Sequence, residues 1–335
     1  MIVFSIIVIS HNQVDCLKRC IDSILAQNLS FEYEIIISDD ASTDGSWELA
    51  QEYAIKFKQI FAYQCNTDDY SPANRSERSG WNRCNGYKHA TGKYIAHVDG
   101  DDFFVEGVDI YKKQVELLEK HPECSCCMAN DYKLIDGDEV SKAILLHKEV
   151  FETEQILSSV DYIQNYFRES HCFVYRRNPN VNPVELYGGY YVDTMITDHH
   201  IQFGDIVCLN DAGYVYVQYN SSIWNENLKK QDSKVFAHAL YIPLLIPKWE
   251  YAFMSGKRHL KKMLKVVRLA LSNHHLKDDN LVWIRRFDRF VYRCFNRQLS
   301  LNDKMRLSLL FIYLGLLIVT HPNMKWPYRL LSKLL

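Results

Sequence analysis

The chain has 335 residues, of which 47% are hydrophobic and 24% charged, so it resembles an ordinary globular protein and not a disordered one. This length can bury a sizeable core, as one large domain with an appendage or as two domains. The net charge of −2 hides an asymmetry. Residues 257–335 carry 17 Lys and Arg against 4 Asp and Glu, whereas residues 1–256 carry 22 against 37. A basic end on an acidic body predicts that the end binds something anionic.

The cysteines and the apolar segments bear on where the protein works. Ten cysteines are scattered without a regular framework, which is typical of reduced thiols in a cytoplasmic protein. The apolar first ten residues lack the features of a signal peptide and instead predict a buried strand. No apolar run reaches the roughly 18 residues of a spanning helix.

The first 130 residues alternate short β-branched runs with amphipathic segments, which predicts βαβ units around a parallel sheet. The predicted strands are Val3–Ser10, Tyr33–Ser38, Ile60–Cys65, Tyr94–Val98 and Cys124–Asn130. The predicted helices are Val14–Gln27, Ser46–Phe57, Gly80–Ala90 and Gly107–Lys120. Ligands of such sheets bind outside the carboxyl ends of the strands, so polar residues there are site candidates.

The pattern becomes mixed after residue 130 and helical after residue 231. The mixed part predicts helices at Glu154–Phe167 and Thr194–Phe203 and strands at His171–Tyr175 and Gly213–Tyr219. We therefore expect an α/β domain over residues 1–230, with a binding half at 1–105 and a second half at 106–230. A basic helical region is expected over residues 231–335.

Three carboxylates follow the fourth predicted strand, in the order Asp99, Gly100, Asp101, Asp102. Like charges this close repel one another unless a cation neutralises them. Hard divalent ions such as Mg²⁺ or Mn²⁺ share one or two carboxylates with substrate phosphates. The segment thus indicates a metal–diphosphate site. An acidic turn that caps the following helix is the alternative interpretation.

Four motifs in register resemble the family 2 glycosyltransferases of the GT-A fold. They are the first strand and its loop (SIIVISHN), an acidic turn (IIISDDASTDGS), an Arg/Asn–Gly helix (GWNRCNG) and a small-residue turn leading to the aspartates (ATGKYIAHVDGDD). The resemblance covers about Ile2–Phe103 and continues more weakly through His171–Arg177, Thr197–Asp198 and Tyr219–Ile223. It implies transfer of a sugar from a nucleotide donor.

The resemblance also implies roles for individual residues. Asp40 would accept from the base edge of a uridine-like nucleotide, and Asp39 would support its loop. Asp101 would coordinate the metal, and Asp99 would hold the ribose or the metal. Arg83 would add positive charge near the diphosphate or order the aspartates. The remaining donor-binding candidates are Ser10, His11, Asn12 and Gly100. His11 departs from the aromatic residue that is usual beside the base.

An inverting transferase needs a carboxylate that takes the acceptor's proton. The family's Glu-Asp pair corresponds here to Thr197-Asp198, which makes Asp198 the predicted base and leaves Asp193 as the fallback. His199 and His200 could reach the metal or the acceptor, or could be structural. Because Thr197 replaces the usual Glu, a non-catalytic glycan-binding protein with the same fold is the alternative hypothesis.

The basic end predicts a partner as well. Its 13-residue apolar run, Leu307–Val319, is too short to span about 30 Å of hydrocarbon. Basic segments bind anionic leaflets with about 1 kcal/mol per Lys or Arg. We expect the enzyme to sit peripherally on the cytoplasmic face of the membrane, with a glycan or lipid-linked oligosaccharide as acceptor and no nucleic acid as partner.

Overall fold

The computed structural model describes residues 3–65, 75–146, 154–165, 171–178, 180, 182–187 and 193–219. All of them lie in the first of the two compact units into which the chain divides, 1–225 and 226–335. The predicted basic region, residues 231–335, lies outside the described residues and stays a prediction. None of the helices in the described ranges has both the length and the apolar character needed to cross a bilayer.

The first part of the chain is a parallel sheet with connecting helices. Its elements are β1 (Phe4–Ser10), α1 (Val14–Leu25), β2 (Tyr33–Asp39), α2 (Ser46–Lys56), β3 (Ile60–Gln64), α3 (Arg75–His89) and β4 (Tyr94–Asp99). The strands pair in the order β3-β2-β1-β4, all parallel. Every residue of β1 is buried, as expected for a strand that is covered on both faces. The predicted βαβ arrangement is confirmed.

The second part extends the same sheet with both parallel and antiparallel pairs. Its elements are β5 (Phe103–Phe104), α4 (Ile110–Lys120), β6 (Cys124–Ile135), a 3₁₀ turn (Val140–Lys142), β7 (Ile144–Leu145), β8 (Gln155–Leu157), α5 (Ser159–Asn165), β9 (Phe173–Arg176), α6 (Pro183–Tyr187), α7 (Asp193–His200) and β10 (Asp205–Gln218). The sheet continues as β4-β9-β6-β10-β5, with β7 on β6 and β8 on β10. Strand β10 is parallel to β6, whereas strand β9 is antiparallel to both β4 and β6.

Two predicted elements differ from the structure. The predicted helix Glu154–Phe167 begins instead as β8, in which Leu157 is buried and pairs with Ile206 of β10. The helix α5 starts only at Ser159, whose backbone N–H donates to Asp205 at 2.9 Å. Strand β10 is also longer than the predicted Gly213–Tyr219, because its first half pairs with β6 and β8.

The parallel strands end together at one edge of the sheet. The register sets Ser10 beside Asp39, and Ile9 beside Asp99, so three of the predicted motifs meet there. Helix α3 approaches β1 closely at Gly86, where a Cβ would lie 2.4 Å from Ile7 Cγ2. This close packing carries the polar face of α3 to the same edge.

Candidate active site

The loops after β1 and β2 are joined by hydrogen bonds. The Asn12 backbone N–H donates to Ser42 Oγ at 2.9 Å, and Asn12 Oδ1 accepts from the Thr43 N–H at 2.8 Å. Asp39 is fully buried and accepts from both the N–H and the hydroxyl of Ser42. Asp39 therefore bonds within the loop that follows β2, and Asn12, whose φ of 53° is left-handed, ties that loop to the one after β1.

Asp40 lies between these loops and α3. It is 3% exposed, and its Oδ2 accepts from Arg78 Nε at 2.8 Å. No group of the described residues bonds its buried Oδ1. Burial raises the pKa of the Asp40 carboxyl, and the Arg78 guanidinium opposes that rise. His11 lies beside this pair, with its Nδ1 2.8 Å from the Asp40 carbonyl oxygen and 3.8 Å from Oδ2.

Ser10 and Gly100 contribute backbone geometry. The buried Ser10 carbonyl accepts from Asn82 Nδ2 at 3.0 Å and from the Asp40 N–H at 2.9 Å. The Gly100 N–H donates to the Ile9 carbonyl, and a Cβ on Gly100 would lie only 2.8 Å from that oxygen. A glycine therefore lets the end of β4 stay close to β1, which brings the aspartates toward the loops just described.

The three carboxylates after β4 form a compact cluster. One oxygen from each of Asp99, Asp101 and Asp102 lies within 4.8 Å of the others, and among the described residues this is the group that could hold a metal ion. Burial and the neighbouring charge of Asp99 raise the pKa of Asp101 to about 7. Such crowding disfavours ionised carboxylates unless a cation joins them.

Asp102 differs from the other two in its partners. It is 1% exposed, and its oxygens accept from the Tyr214 hydroxyl at 2.6 Å and from the Val217 N–H at 2.8 Å. Both oxygens are thus engaged by β10, whereas the Asp99 side chain is 37% exposed. Asp102 is therefore fixed to β10, whereas Asp99 and Asp101 are the members of the cluster that remain partly exposed.

Arg83 links the cluster to α7. Its buried guanidinium donates from Nη2 to Asp99 Oδ1 and to Asp193 Oδ1, both at 2.6 Å. Burial lowers the pKa of Arg83, but the charges of Asp193 and Asp99 outweigh this effect and raise it. The arginine is therefore a fixed cation that sets two carboxylates from distant parts of the sequence beside each other. Asp193 remains 64% exposed.

The last four residues of α7, Thr197 to His200, are buried. Asp198 is 1% exposed, and the carbonyl oxygen of the same residue accepts from Gln202 Nε2. The Thr197 hydroxyl lies 2.9 Å from that of the buried Tyr175. His199 and His200 are buried, and burial lowers the pKa of His199 to about 4. The structure thus brings Asp193 to the cluster and keeps Asp198 and the two histidines in the core.

Sequence reasoning missed three contributors to this site. Both Arg78 and Asn82 lie on α3, Arg78 just before the GWNRCNG segment and Asn82 within it. The sequence of a polar helix face does not indicate which residue bonds Asp40 or Ser10. Tyr214 lies more than a hundred residues after Asp102. Only the folded sheet brings it into contact.

Three comparisons place the chain among known proteins. The sequence profile described as Glycosyl transferase family 2 matches residues 5–181. The uncharacterized protein Rv1520 of Mycobacterium tuberculosis is 29% identical over 232 residues, which span 66% of this chain and 60% of that protein. The poly(ribitol-phosphate) beta-glucosyltransferase of Bacillus spizizenii is 33% identical over 100 residues, or 30% of this chain and 15% of that enzyme.

A solved structure shares the fold. The crystal structure of S. aureus TarS 1-349 in complex with UDP superimposes with a TM-score of 0.60 at 18% identity, covering 84% of this chain and 78% of that one. Another TarS 1-349 structure, which contains UDP-GlcNAc, also gives a TM-score of 0.60. The predicted GT-A fold is confirmed.

Proposed function

Because the chain belongs to glycosyl transferase family 2, we propose that it transfers a sugar from a UDP-sugar to a hydroxyl group of a glycan acceptor, with inversion at the anomeric carbon. The observation that carries the proposal is Arg83, which holds Asp99 of the carboxylate cluster and the exposed Asp193 at 2.6 Å each. Asp99 belongs to the cluster that is suited to a metal-bound diphosphate, and Asp193 is a carboxylate that solvent can reach.

The surroundings of Asp40 are suited to a uracil ring. The uracil edge offers an N–H between two carbonyls. The Arg78 and His11 side chains, 20% and 42% exposed, could donate to the carbonyls, and Asp40 Oδ1, buried behind them without a partner among the described residues, would accept the N–H once they open toward the base. The TarS complexes with UDP and UDP-GlcNAc support this donor class, since they share the fold. Of the other donor-site candidates, Ser10, Asn12, Asp39 and Gly100 hold the loops around Asp40 in place through the hydrogen bonds described above.

The cluster fits a divalent cation, Mn²⁺ or Mg²⁺. Asp99 and Asp101 supply oxygen ligands, and a site with two carboxylates leaves positions for phosphate oxygens. A cation held there would neutralise the charge that develops on the leaving diphosphate.

We propose Asp193 as the general base in place of the predicted Asp198. The burial of Asp198 argues against contact with an acceptor, whereas Asp193 is exposed beside the cluster. The Asp193 carboxylate takes the proton of the acceptor hydroxyl as its oxygen forms a bond to the anomeric carbon. The bond between that carbon and the diphosphate oxygen breaks, and the electron pair leaves with the nucleoside diphosphate. Arg83 orients Asp193 throughout.

This function is tested by donor turnover. The purified chain is incubated with a panel of UDP-, GDP- and dTDP-sugars, each with and without Mn²⁺, and release of the nucleoside diphosphate is measured. We expect release from a UDP-sugar with the cation only, and none from the Asp101→Ala variant. Release by wild type and variant at equal rates would contradict the proposal.

The alternative of a non-catalytic glycan-binding protein has lost its motivation. It depended on Thr197 standing where the family has Glu, but Thr197 is a buried packing residue whose hydroxyl contacts Tyr175. The replacement of Glu by Thr197 therefore lies in the protein interior and not among the exposed residues of the proposed active site.

We further propose that the basic end, residues 257–335 with 17 Lys and Arg, holds the enzyme on the cytoplasmic face of a membrane, where a lipid-linked acceptor would be presented. Co-sedimentation with vesicles containing anionic lipid tests this, with neutral vesicles as the control. Binding to the anionic vesicles that declines with salt is expected. Equal binding to both kinds of vesicle, or to neither, would contradict it.

A further inference from the structure

A second buried ion pair lies next to the carboxylate cluster. The backbone N–H of His171 donates to Asp131 Oδ2 at 3.1 Å, and its Nδ1 lies 2.9 Å from the same oxygen. Asp131 is fully buried, whereas 21% of the His171 side chain is exposed. Because Asp131 engages Nδ1, the ring nitrogen Nε2 faces away from Asp131, and no acceptor for it occurs among the residues that the structure describes.

The sheet places His171 beside the cluster. Strand β9 is antiparallel to β4, and His171 precedes β9, so it lies toward the end of β4 that carries the cluster. Burial raises the pKa of Asp99 and of Asp102, and the nearby charge of His171 opposes that rise in both. On β10, Tyr214 and Tyr216 project from one face because they are two residues apart. Tyr214 bonds Asp102. Tyr216 stacks on the imidazole, with ring centroids 4.2 Å apart and planes at 3°.

The surroundings favour a charged imidazole. Burial lowers the pKa of His171, but the hydrogen bond and charge of Asp131 and the charges of Asp102 and Asp193 raise it to about 9. The ring pairs with the fully buried Asp131 carboxylate, which favours an imidazolium with a proton on both nitrogens and makes Nε2 a charged donor. Asp131 and the stacked tyrosine hold it in one orientation. Such a preorganised donor is suited to an oxygen that gains negative charge during a reaction.

We propose that His171, oriented by Asp131 and Tyr216, donates its Nε2–H to the diphosphate of the nucleotide donor. The inference rests on the proposed function, since that function supplies the diphosphate. His171 would then act from the β9 side of the cluster, opposite Arg83 on α3. The imidazolium would bind the diphosphate in the donor and in the leaving nucleoside diphosphate alike, so its loss should raise the donor KM as well as lower kcat.

The test compares ligands with and without the diphosphate. Calorimetric affinities for UDP and for uridine are measured in the presence of Mn²⁺ for wild type and for His171→Gln and His171→Asn. Loss of a charged hydrogen bond should weaken UDP binding about 10- to 100-fold with uridine affinity retained, while the melting temperature falls because the fully buried Asp131 loses its charged partner. His121→Gln is the matched control, because His121 is likewise bonded to carboxylates, Glu123 and Glu154, but lies just before β6, at the edge of the sheet where β4 begins and not where it ends.

The outcomes separate this inference from the proposed function. A wild-type chain that binds no UDP would remove the proposed function itself. Suppose instead that the wild type binds UDP. If His171→Gln binds UDP with the same affinity, or loses affinity for UDP and uridine equally, only the proposed role of His171 is overturned. The Asp131→Asn variant gives an independent measurement, since it should weaken UDP in the same sense by leaving the imidazole neutral. Full UDP affinity in Asp131→Asn would contradict the proposal as well.

Discussion

Replacing Asp193 by asparagine separates the base from its structural surroundings. The side-chain carbonyl of the introduced asparagine can still accept from Arg83, which at present donates to Asp193 Oδ1 at 2.6 Å, and Asp99 keeps its own bond to the guanidinium. Asp193 is 64% exposed, so the change should alter the free energy of unfolding by less than about 1 kcal/mol. What is lost is the ability to take a proton.

The expected loss of rate follows from that single change. General-base catalysis contributes about 10²- to 10⁴-fold, so kcat should fall by this factor, or about 2.7–5.4 kcal/mol in the activation free energy. The donor KM should change only a few-fold, because Asp99 and Asp101 are untouched. The assay is nucleoside diphosphate release under saturating UDP-sugar and acceptor, with donor hydrolysis followed separately.

The matched control is Asp198→Asn on the same helix. Because Asp198 is 1% exposed, this change should lower the melting temperature while the folded fraction keeps its kcat within a few-fold. The reasoning would be refuted if Asp193→Asn turned over normally and Asp198→Asn lost its rate with its stability intact.

Three further changes probe the donor site and its support. Asp40→Asn should weaken UDP binding by about 10-fold, since one orientation of its amide presents N–H to the uracil N–H; unchanged binding in a titration would contradict the assigned base contact. The pKa of Asp101 is raised to about 7, so its carboxyl is protonated below that pH and must lose the proton to bind a cation. Mn²⁺ affinity should therefore fall by up to about tenfold per unit as pH drops below 7, and a flat profile between pH 5.5 and 8 would count against this. Asp102→Asn should cost about 1–3 kcal/mol in unfolding free energy, because its amide cannot accept from both Tyr214 and Val217; Tyr214→Phe, which removes one of the two bonds, should cost less.

The sequence predicted the parallel sheet and its acidic edge because both follow from local patterns. Buried runs such as β1 mark strands, and Asp99 and Asp101 lie directly after such a run, where parallel strands open to ligands. The partners of the third aspartate, Asp102, could not be predicted. Nothing local distinguishes Asp102 from its neighbours, and only β10, folded alongside, engages its oxygens.

Which of Asp193 and Asp198 faces the cluster could not be predicted, for a geometric reason. Asp193 and Asp198 are five residues apart on α7, which at 3.6 residues per turn sets them about 140° apart around the helix axis. Which of them faces the cluster depends on how the helix packs, and that is decided by the buried Met195, Ile196 and His200 against the sheet. The strand β8 was misread for a related reason, since Ile156 and Leu157 fit a helical pattern as well as a short strand.

The central claim is that Asp99 and Asp101 exist to hold a cation against a nucleoside diphosphate. Calorimetric titration of UDP into the wild-type chain and into Asp101→Asn, each with and without Mn²⁺, tests it most directly. We expect Mn²⁺ to strengthen UDP binding at least tenfold in the wild type and to leave the variant unchanged. Equal strengthening in both proteins, or none in the wild type, would contradict the claim.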